Sequence, residues 1–176
     1  MTATIVLAAG TSSRFGSLKQ LALFRGQPLV RHAVRTALAA GCARTIVVIG
    51  HESVREALDD LPITVVFNDE EGMSSSIRHG VKAADGDDVL LTLADQPLVT
   101  SEHLRALVAA NARIAATQYA GTLGVPAFFA AEYAEELCAL TGDRGARGVI
   151  DAHGATVIPF EDAAVDVDTV DDYRML

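Results

Sequence analysis

Tryptophan is absent and aromatic residues make up only 5% of this 176-residue chain, yet half of its residues are apolar. A core without large rings must be filled by Ala, Val, Leu and Ile. Such side chains are small enough to separate helices from a sheet, which suits a layered α/β architecture. Basic residues are scarce as well: 14 Lys and Arg stand against 23 Asp and Glu, for a formal charge of -9. A surface of that sign repels phosphate backbones and argues against a general nucleic-acid groove. Any anion bound here must be held locally, by placed cations, backbone N–H groups or a metal. The two cysteines, Cys42 and Cys138, have no metal spacing and read as buried thiols in a reducing compartment. No apolar run is long enough to span a bilayer, and no basic stretch followed by a long apolar one opens the chain. The expectation is a cytoplasmic protein without membrane or nucleic-acid partners, organised as a single domain over residues 1–176.

What is present is strand–helix alternation. A branched-apolar run from Thr4 to Leu7 ends in Ala8-Ala9-Gly10, and Thr4 to Ala9 reads as a buried strand. Gly10, Gly16 and Gly26 break the following segment into a long, shaped loop. Pro28 suits the first turn of a helix whose stripe is Leu29, Val30, Ala33, Val34, Ala37 and Leu38. Further strands are expected at Thr45–Ile49, Ile63–Phe67 and Val89–Leu93. Helices are expected from Ser53 to Leu61, after Ser74-Ser75-Ser76, one of which can cap, and after Ser101. The pattern then becomes mixed. A strand at Ala115–Tyr119 precedes a turn-rich passage from Gly121 to Pro126, and a helix spans Ala130 to Leu140. Short extended pieces follow at Thr156–Pro159 and Val165–Asp168. The whole predicts a three-layer, Rossmann-like α/β fold with a mostly parallel sheet and ligands beyond the carboxyl ends of its strands.

Chemistry concentrates on that rim. The first loop is neither GxGxxG nor GxxxxGK[ST], so neither common nucleotide motif applies. It does place Gly10, where the backbone can approach a ligand, ahead of Arg14 and Lys19. Arg14 offers a planar fork for phosphate oxygens and Lys19 a point charge on a flexible stem. Asp95 follows Leu91-Thr92-Leu93-Ala94, and a carboxylate at a strand end can hold a hard cation such as Mg²⁺. Asp166 and Asp168 alternate along an extended piece, and one of them could complete a metal site with Asp95. Ser74 to Ser76 form a compact hydrogen-bonding patch. None of the histidines shows a metal or nucleophile pattern.

These residues carry a resemblance. LAAGTSSRFGSLKQL resembles the signature loop of the MobA-like NTP transferases, typified by molybdenum-cofactor enzymes. Five further blocks resemble the molybdopterin cytidylyltransferase branch in order: Asn68 with Glu71 to Ile77, Leu93 to Pro97, Tyr119 to Ala127, Gly142 to Arg147, and Asp166 to Thr169. The resemblance implies transfer of CMP from CTP to the phosphate of a molybdopterin-type acceptor, with Mg²⁺ as cofactor and release of pyrophosphate; the alternatives are guanylyl or other nucleotidyl transfer to a different phosphorylated acceptor, or a non-enzymatic accessory protein that carries the molybdenum cofactor to a hydroxylase. It implies that Ala8, Ala9 and Gly10 meet the nucleotide, that Arg14 and Lys19 contact the triphosphate, and that Ser75 and Ser76 lie near the nucleoside. Asp95 would be the principal metal ligand and Asp168, or else Asp166, the second. Guanylyl-transferring relatives tend to have Gly where this chain has Ala9, which points to the cytidylyl type. The Asp143-Arg144 block would help hold the acceptor, and a molybdenum hydroxylase is the implied transient partner. Two positions depart from the family pattern: Phe15 stands where Met is usual, and Val170 where Pro follows the Asp-x-Asp-Thr block.

Overall fold

The computed structural model describes residues 1–10, 18–143, 145–167 and 169–174. Strand β1 (Thr2–Ala8) is followed by a 3₁₀ turn (Lys19–Leu21), the short hairpin strands β2 (Leu23–Phe24) and β3 (Gln27–Pro28), and helix α1 (Leu29–Ala39). Next come β4 (Arg44–Ile49), α2 (Glu52–Glu56), β5 (Thr64–Phe67), α3 (Met73–Ala84), β6 (Asp88–Leu93) and α4 (Ser101–Ala109). The remainder contains β7 (Ile114–Tyr119), β8 (Thr122–Phe129), α5 (Ala134–Cys138), α6 (Arg147–His153), β9 (Thr156–Pro159) and α7 (Val170–Arg174).

Among the described residues, seven strands form one sheet in the order β5-β4-β1-β6-β8-β7-β9. Strand β8 alone runs antiparallel to its neighbours, so the sheet is mixed but mostly parallel. The expected Rossmann-like α/β fold is the observed one. Strand β1 lies between β4 and β6, which explains its unbroken apolar sequence: a strand covered on both faces has no polar side. Its alternate residues separate cleanly. Ala3, Ile5 and Leu7 pack with Ile77 and Val81 of α3, whereas Val6 and Ala8 pack with Val30, Val34 and Ala37 of α1. Helices α3, α5 and α6 thus cover one face, and α1, α2 and α4 the other. No helix among the described residues is long and apolar enough to cross a membrane.

Helix α3 lies unusually close to the sheet at Gly80. A Cβ built there would sit 2.5 Å from Ile5 Cγ2 and 3.2 Å from Val48 Cγ2, both on stiff, β-branched core side chains. Gly80→Ala should therefore destabilise the fold by about 1–3 kcal/mol, because overpacking outweighs the roughly 1 kcal/mol that alanine gains in helix propensity. A urea or thermal midpoint equal to or above that of the unsubstituted protein would contradict this.

The structure corrects several local expectations. The helix expected from Ser53 to Leu61 stops at Glu56. Arg31 takes the Ala57 carbonyl at 2.9 Å and forks onto Asp60, and the chain beyond closes in three-residue turns. Thr100, not Ser101, caps α4 by accepting from the His103 N–H. The stretch expected to be turn-rich from Gly121 is a long strand, β8. Its irregularity is a register shift opposite Ala116/Thr117, which accommodates Val125-Pro126 where proline cannot donate to the ladder. Cys42 and Cys138 are half-buried rather than buried.

Candidate active site

Strand order locates the site. From β1 the chain winds outward through α1 to β4 and on to β5, then crosses back through α3 to β6 on the other side of β1. Where connections depart in opposite directions from two adjacent parallel strands, a crevice opens at their carboxyl ends. Here that crevice is a cleft of about 950 Å³. Leu7 to Gly10 from the end of β1 and Leu93 to Asp95 from the end of β6 line it. The opposing wall comes from Glu70 to Met73, Ser76, Gly142 and Asp143.

The end of β1 is held from two sides. Gln20, only 4% exposed, donates through Nε2 to the Ala8 carbonyl at 3.1 Å and the Gly10 carbonyl at 2.7 Å. Gly50, just past β4, leaves room for Ala9: a Cβ there would lie 2.9 Å from the Ala9 carbonyl oxygen. Gly10 itself has no positive φ, and a Cβ on it would meet nothing closer than Gln20 Nε2 at 3.9 Å. Neither backbone strain nor crowding among the described residues demands glycine at that position.

Lys19 and Asp95 meet across the cleft. Lys19 Nζ donates to Asp95 Oδ2 at 2.6 Å, with side chains 13% and 23% exposed. The second carboxylate oxygen, Oδ1, is buried and has no hydrogen-bond partner among the described residues. The turn carrying Asp95 is well anchored. Gln96 Nε2 donates to the Ala163 carbonyl at 2.8 Å, and His32 Nε2 to the Pro97 carbonyl at 2.9 Å. Burial pushes the His32 pKa down, consistent with a neutral ring whose single N–H serves that carbonyl. The Val167 N–H donates to the Asp95 backbone carbonyl at 2.9 Å, which brings the Asp166-Val167 segment alongside, with Asp166 exposed. Nearby, burial first and the Asp166 charge second raise the Tyr119 pKa, so the phenol stays a donor. Arg14, Arg144 and Asp168 lie outside the described residues.

The serine block is arranged differently from a capping segment. Helix α3 begins at Met73 after Gly72, whose φ of +95 lies in the glycine-favoured region, so Ser74, Ser75 and Ser76 all sit inside the first turn. No side chain of these three caps the helix. Instead Asn68, 2% exposed, donates from Nδ2 to Ser75 Oγ at 2.9 Å and Ser76 Oγ at 3.0 Å. Ser75 is tied further to the Gly72 carbonyl, whereas Ser76 lines the cleft. The Ser74 N–H and hydroxyl both reach the Gly142 carbonyl, at 3.3 and 2.6 Å, and draw the Gly142-Asp143 loop into the wall. Four blocks dispersed along the chain thereby converge. Gln20 and Asn68 stand within the blocks that carry the resemblance, but the roles they and Gly50 take were not assigned from sequence; a lone amide beside leucines in Leu18-Lys19-Gln20-Leu21 was the available signal for Gln20.

The described wall carries four carboxylates, of Glu70, Glu71, Asp95 and Asp143, against the ammonium of Lys19. Among the described residues no group of three or more His, Cys, Asp or Glu is gathered as a metal site. Glycine and alanine at a strand end stand beside a carboxylate–ammonium pair in the switch-point crevice of an α/β sheet, the place where such folds bind ligands. The chain belongs to the MobA-like NTP transferase domain family, whose model matches residues 4–157.

Individual relatives extend the match over nearly the whole length. The purine catabolism protein PucB of Bacillus subtilis is 28% identical over 98% of this chain and 94% of its own. The crystal structure of Rv0371c from Mycobacterium tuberculosis superposes with a TM-score of 0.90 at 30% identity, covering 99% of this chain and 96% of that one. A second Rv0371c structure, in complex with manganese, gives 0.82 at 28% identity, covering 99% and 97%. A nucleotidyl transferase from Methanothermobacter gives 0.86 at 26% identity, covering 99% and 95%. The chain spans about a quarter of the length of the bifunctional GlmU proteins that it also matches. The family to which the chain belongs is one of NTP transferases.

Proposed function

We propose that this protein transfers CMP from CTP to the terminal phosphate of molybdopterin or its metal-bearing form, releasing pyrophosphate. The observation that carries the transferase chemistry is the Lys19–Asp95 pair facing the Ala8–Gly10 strand end across one cleft. The choice of CTP rests on Ala9, and the choice of acceptor on the blocks around Tyr119, Gly142 and Asp166. A molybdenum hydroxylase would be the transient partner that receives the product.

A divalent cation fits the residues present. Asp95 offers hard oxygen donors, one of which is buried without a hydrogen-bond partner among the described residues, and the described wall has more carboxylate than ammonium, a balance that disfavours a bare triphosphate. The manganese complex of Rv0371c supports carrying such an ion over. Asp95 would hold Mg²⁺, with Asp168 as second ligand, and the ion would neutralise and orient the phosphates. Ala9 and Gly10 would lie against the nucleotide, and Ser76 near the nucleoside. Lys19 would leave Asp95 for the triphosphate and, with Arg14, offset charge on the departing pyrophosphate. An acceptor phosphate oxygen forms the new bond to the α-phosphorus as the α–β bridging bond breaks, and pyrophosphate leaves with the electron pair. The acceptor is already ionised near neutral pH, so no general base is required of the chain.

Pyrophosphate release from purified protein with Mg²⁺, molybdopterin and each of CTP, GTP, ATP and UTP tests this. Release is expected with CTP. Greater release with GTP would overturn the base assignment, and no release with any triphosphate would overturn the transferase reading.

A further inference from the structure

We infer that Gln20 is the positioning residue for the nucleotide, acting through the main chain at the end of β1; this rests on the nucleotidyltransferase reading. Strand β1 makes its last pairing with β6 at Leu7, whose carbonyl still accepts from the Ala94 N–H at 3.1 Å. On its other edge β1 still pairs with β4 through Ala8, opposite Ile49, and only beyond Ala8 does the chain leave the sheet and present backbone to the cleft. Two carbonyls there, of Ala8 and Gly10, converge on the single Gln20 Nε2 at 3.1 and 2.7 Å. A carboxamide nitrogen has two N–H groups in one plane, so both carbonyls can be satisfied at once and their peptide planes fixed relative to each other. The intervening Ala9 carbonyl passes close over Gly50, where a Cβ would come within 2.9 Å of it. The peptide groups on either side of Ala9 are thus oriented before any ligand arrives.

The chain places this clamp beside the charge pair. Gln20 and Lys19 belong to one 3₁₀ turn, Lys19–Leu21, so the same turn fastens the end of β1 through Gln20 and the end of β6 through Lys19. Gln20 also lines the cleft while being 4% exposed. A buried amide directed at strand-end carbonyls preorganises binding and leaves the reacting atoms to other groups. Its loss should therefore weaken nucleotide binding without altering the chemical step.

Two variants of matched size separate the possibilities. Gln20→Met keeps the volume and removes both donors; Gln20→Glu keeps the shape and sets an acceptor oxygen against two carbonyls. Titration calorimetry with CTP and Mg²⁺ should show about a 10- to 100-fold weaker Kd for Q20M and a greater loss for Q20E. The KM for CTP should rise in parallel, with kcat and the acceptor KM within about 3-fold of the unsubstituted protein. Should Q20M not fold, Q20E carries the same comparison. Unaltered CTP affinity in either folded variant overturns the inference, as does a fall in kcat with unchanged KM. A parallel rise in both KM values with a lower melting temperature would make Gln20 merely structural and overturn it too. If the unsubstituted protein binds no triphosphate, the transferase reading fails and takes this inference with it.

Discussion

Asp95→Asn is expected to reduce pyrophosphate release by about 10²- to 10³-fold while the protein keeps its fold. Asparagine is isosteric and retains a carbonyl oxygen that can accept from Lys19 Nζ, so the 2.6 Å contact has a neutral replacement. The turn that carries position 95 is held by Gln96, His32 and Val167, none of which bonds the Asp95 side chain. Stability should therefore change little. What the substitution removes is the negative charge and a hard oxygen donor at the point where β6 meets the cleft. Charge complementarity in a partly buried site is worth several kilocalories per mole, and each 1.36 kcal/mol is about tenfold in rate. The measurement is the steady-state rate at saturating triphosphate and Mg²⁺, together with the thermal midpoint. Activity within tenfold of the unsubstituted protein would reduce Asp95 to a turn residue and favour a non-catalytic role in carrying a cofactor.

The parts of this site legible in the sequence were those whose chemistry is local. A branched-apolar run ending in Ala8-Ala9-Gly10 specifies a buried strand and a bare strand end, and Asp95 after Leu91 to Ala94 specifies a carboxylate on the same rim. The strand alternation that places the two side by side is legible too, because β1, β4 and β6 each have the continuous apolar character of a doubly covered parallel strand. The roles of Gln20, Gly50 and Asn68 were not legible, since their partners are backbone groups or hydroxyls brought near only by the fold. A glutamine that holds the Ala8 and Gly10 carbonyls has the same local sequence as one in solvent. The serines were visible as a hydroxyl patch. Their position inside α3 depends on Gly72 adopting a φ of +95 and on Gly142 meeting the helix end from nearly seventy residues away. Likewise, β8 was obscured because Gly121, Gly124 and Pro126 carry turn signals that a register shift absorbs.

Lys19→Met should produce two effects of opposite sign, and that is its diagnostic value. The ammonium now serves as the counter-ion of Asp95, at 2.6 Å in a site where neither side chain is more than 23% exposed. Methionine fills the space of the aliphatic stem and removes the charge, leaving the Asp95 carboxylate without this cation and with Oδ1 already lacking a hydrogen-bond partner among the described residues. Manganese alone, measured by electron paramagnetic resonance of the free ion, should then bind about tenfold more tightly than to the unsubstituted protein, because one positive charge that opposes it has gone. The triphosphate loses the same charge, so turnover should fall by about 10²- to 10³-fold, with a raised KM for the nucleotide. An Asp95→Asn, Lys19→Met double variant should lose the gain in manganese affinity, which ties that gain to the carboxylate. Were K19M to bind manganese no better than the unsubstituted protein, Asp95 would not be the ligand. Were its turnover unchanged, the lysine would be a structural partner of Asp95 and the triphosphate would draw its charge from elsewhere in the cleft. The opposing signs follow from one fact of the fold: the same turn of chain that holds the end of β1 also sets a cation on the end of β6.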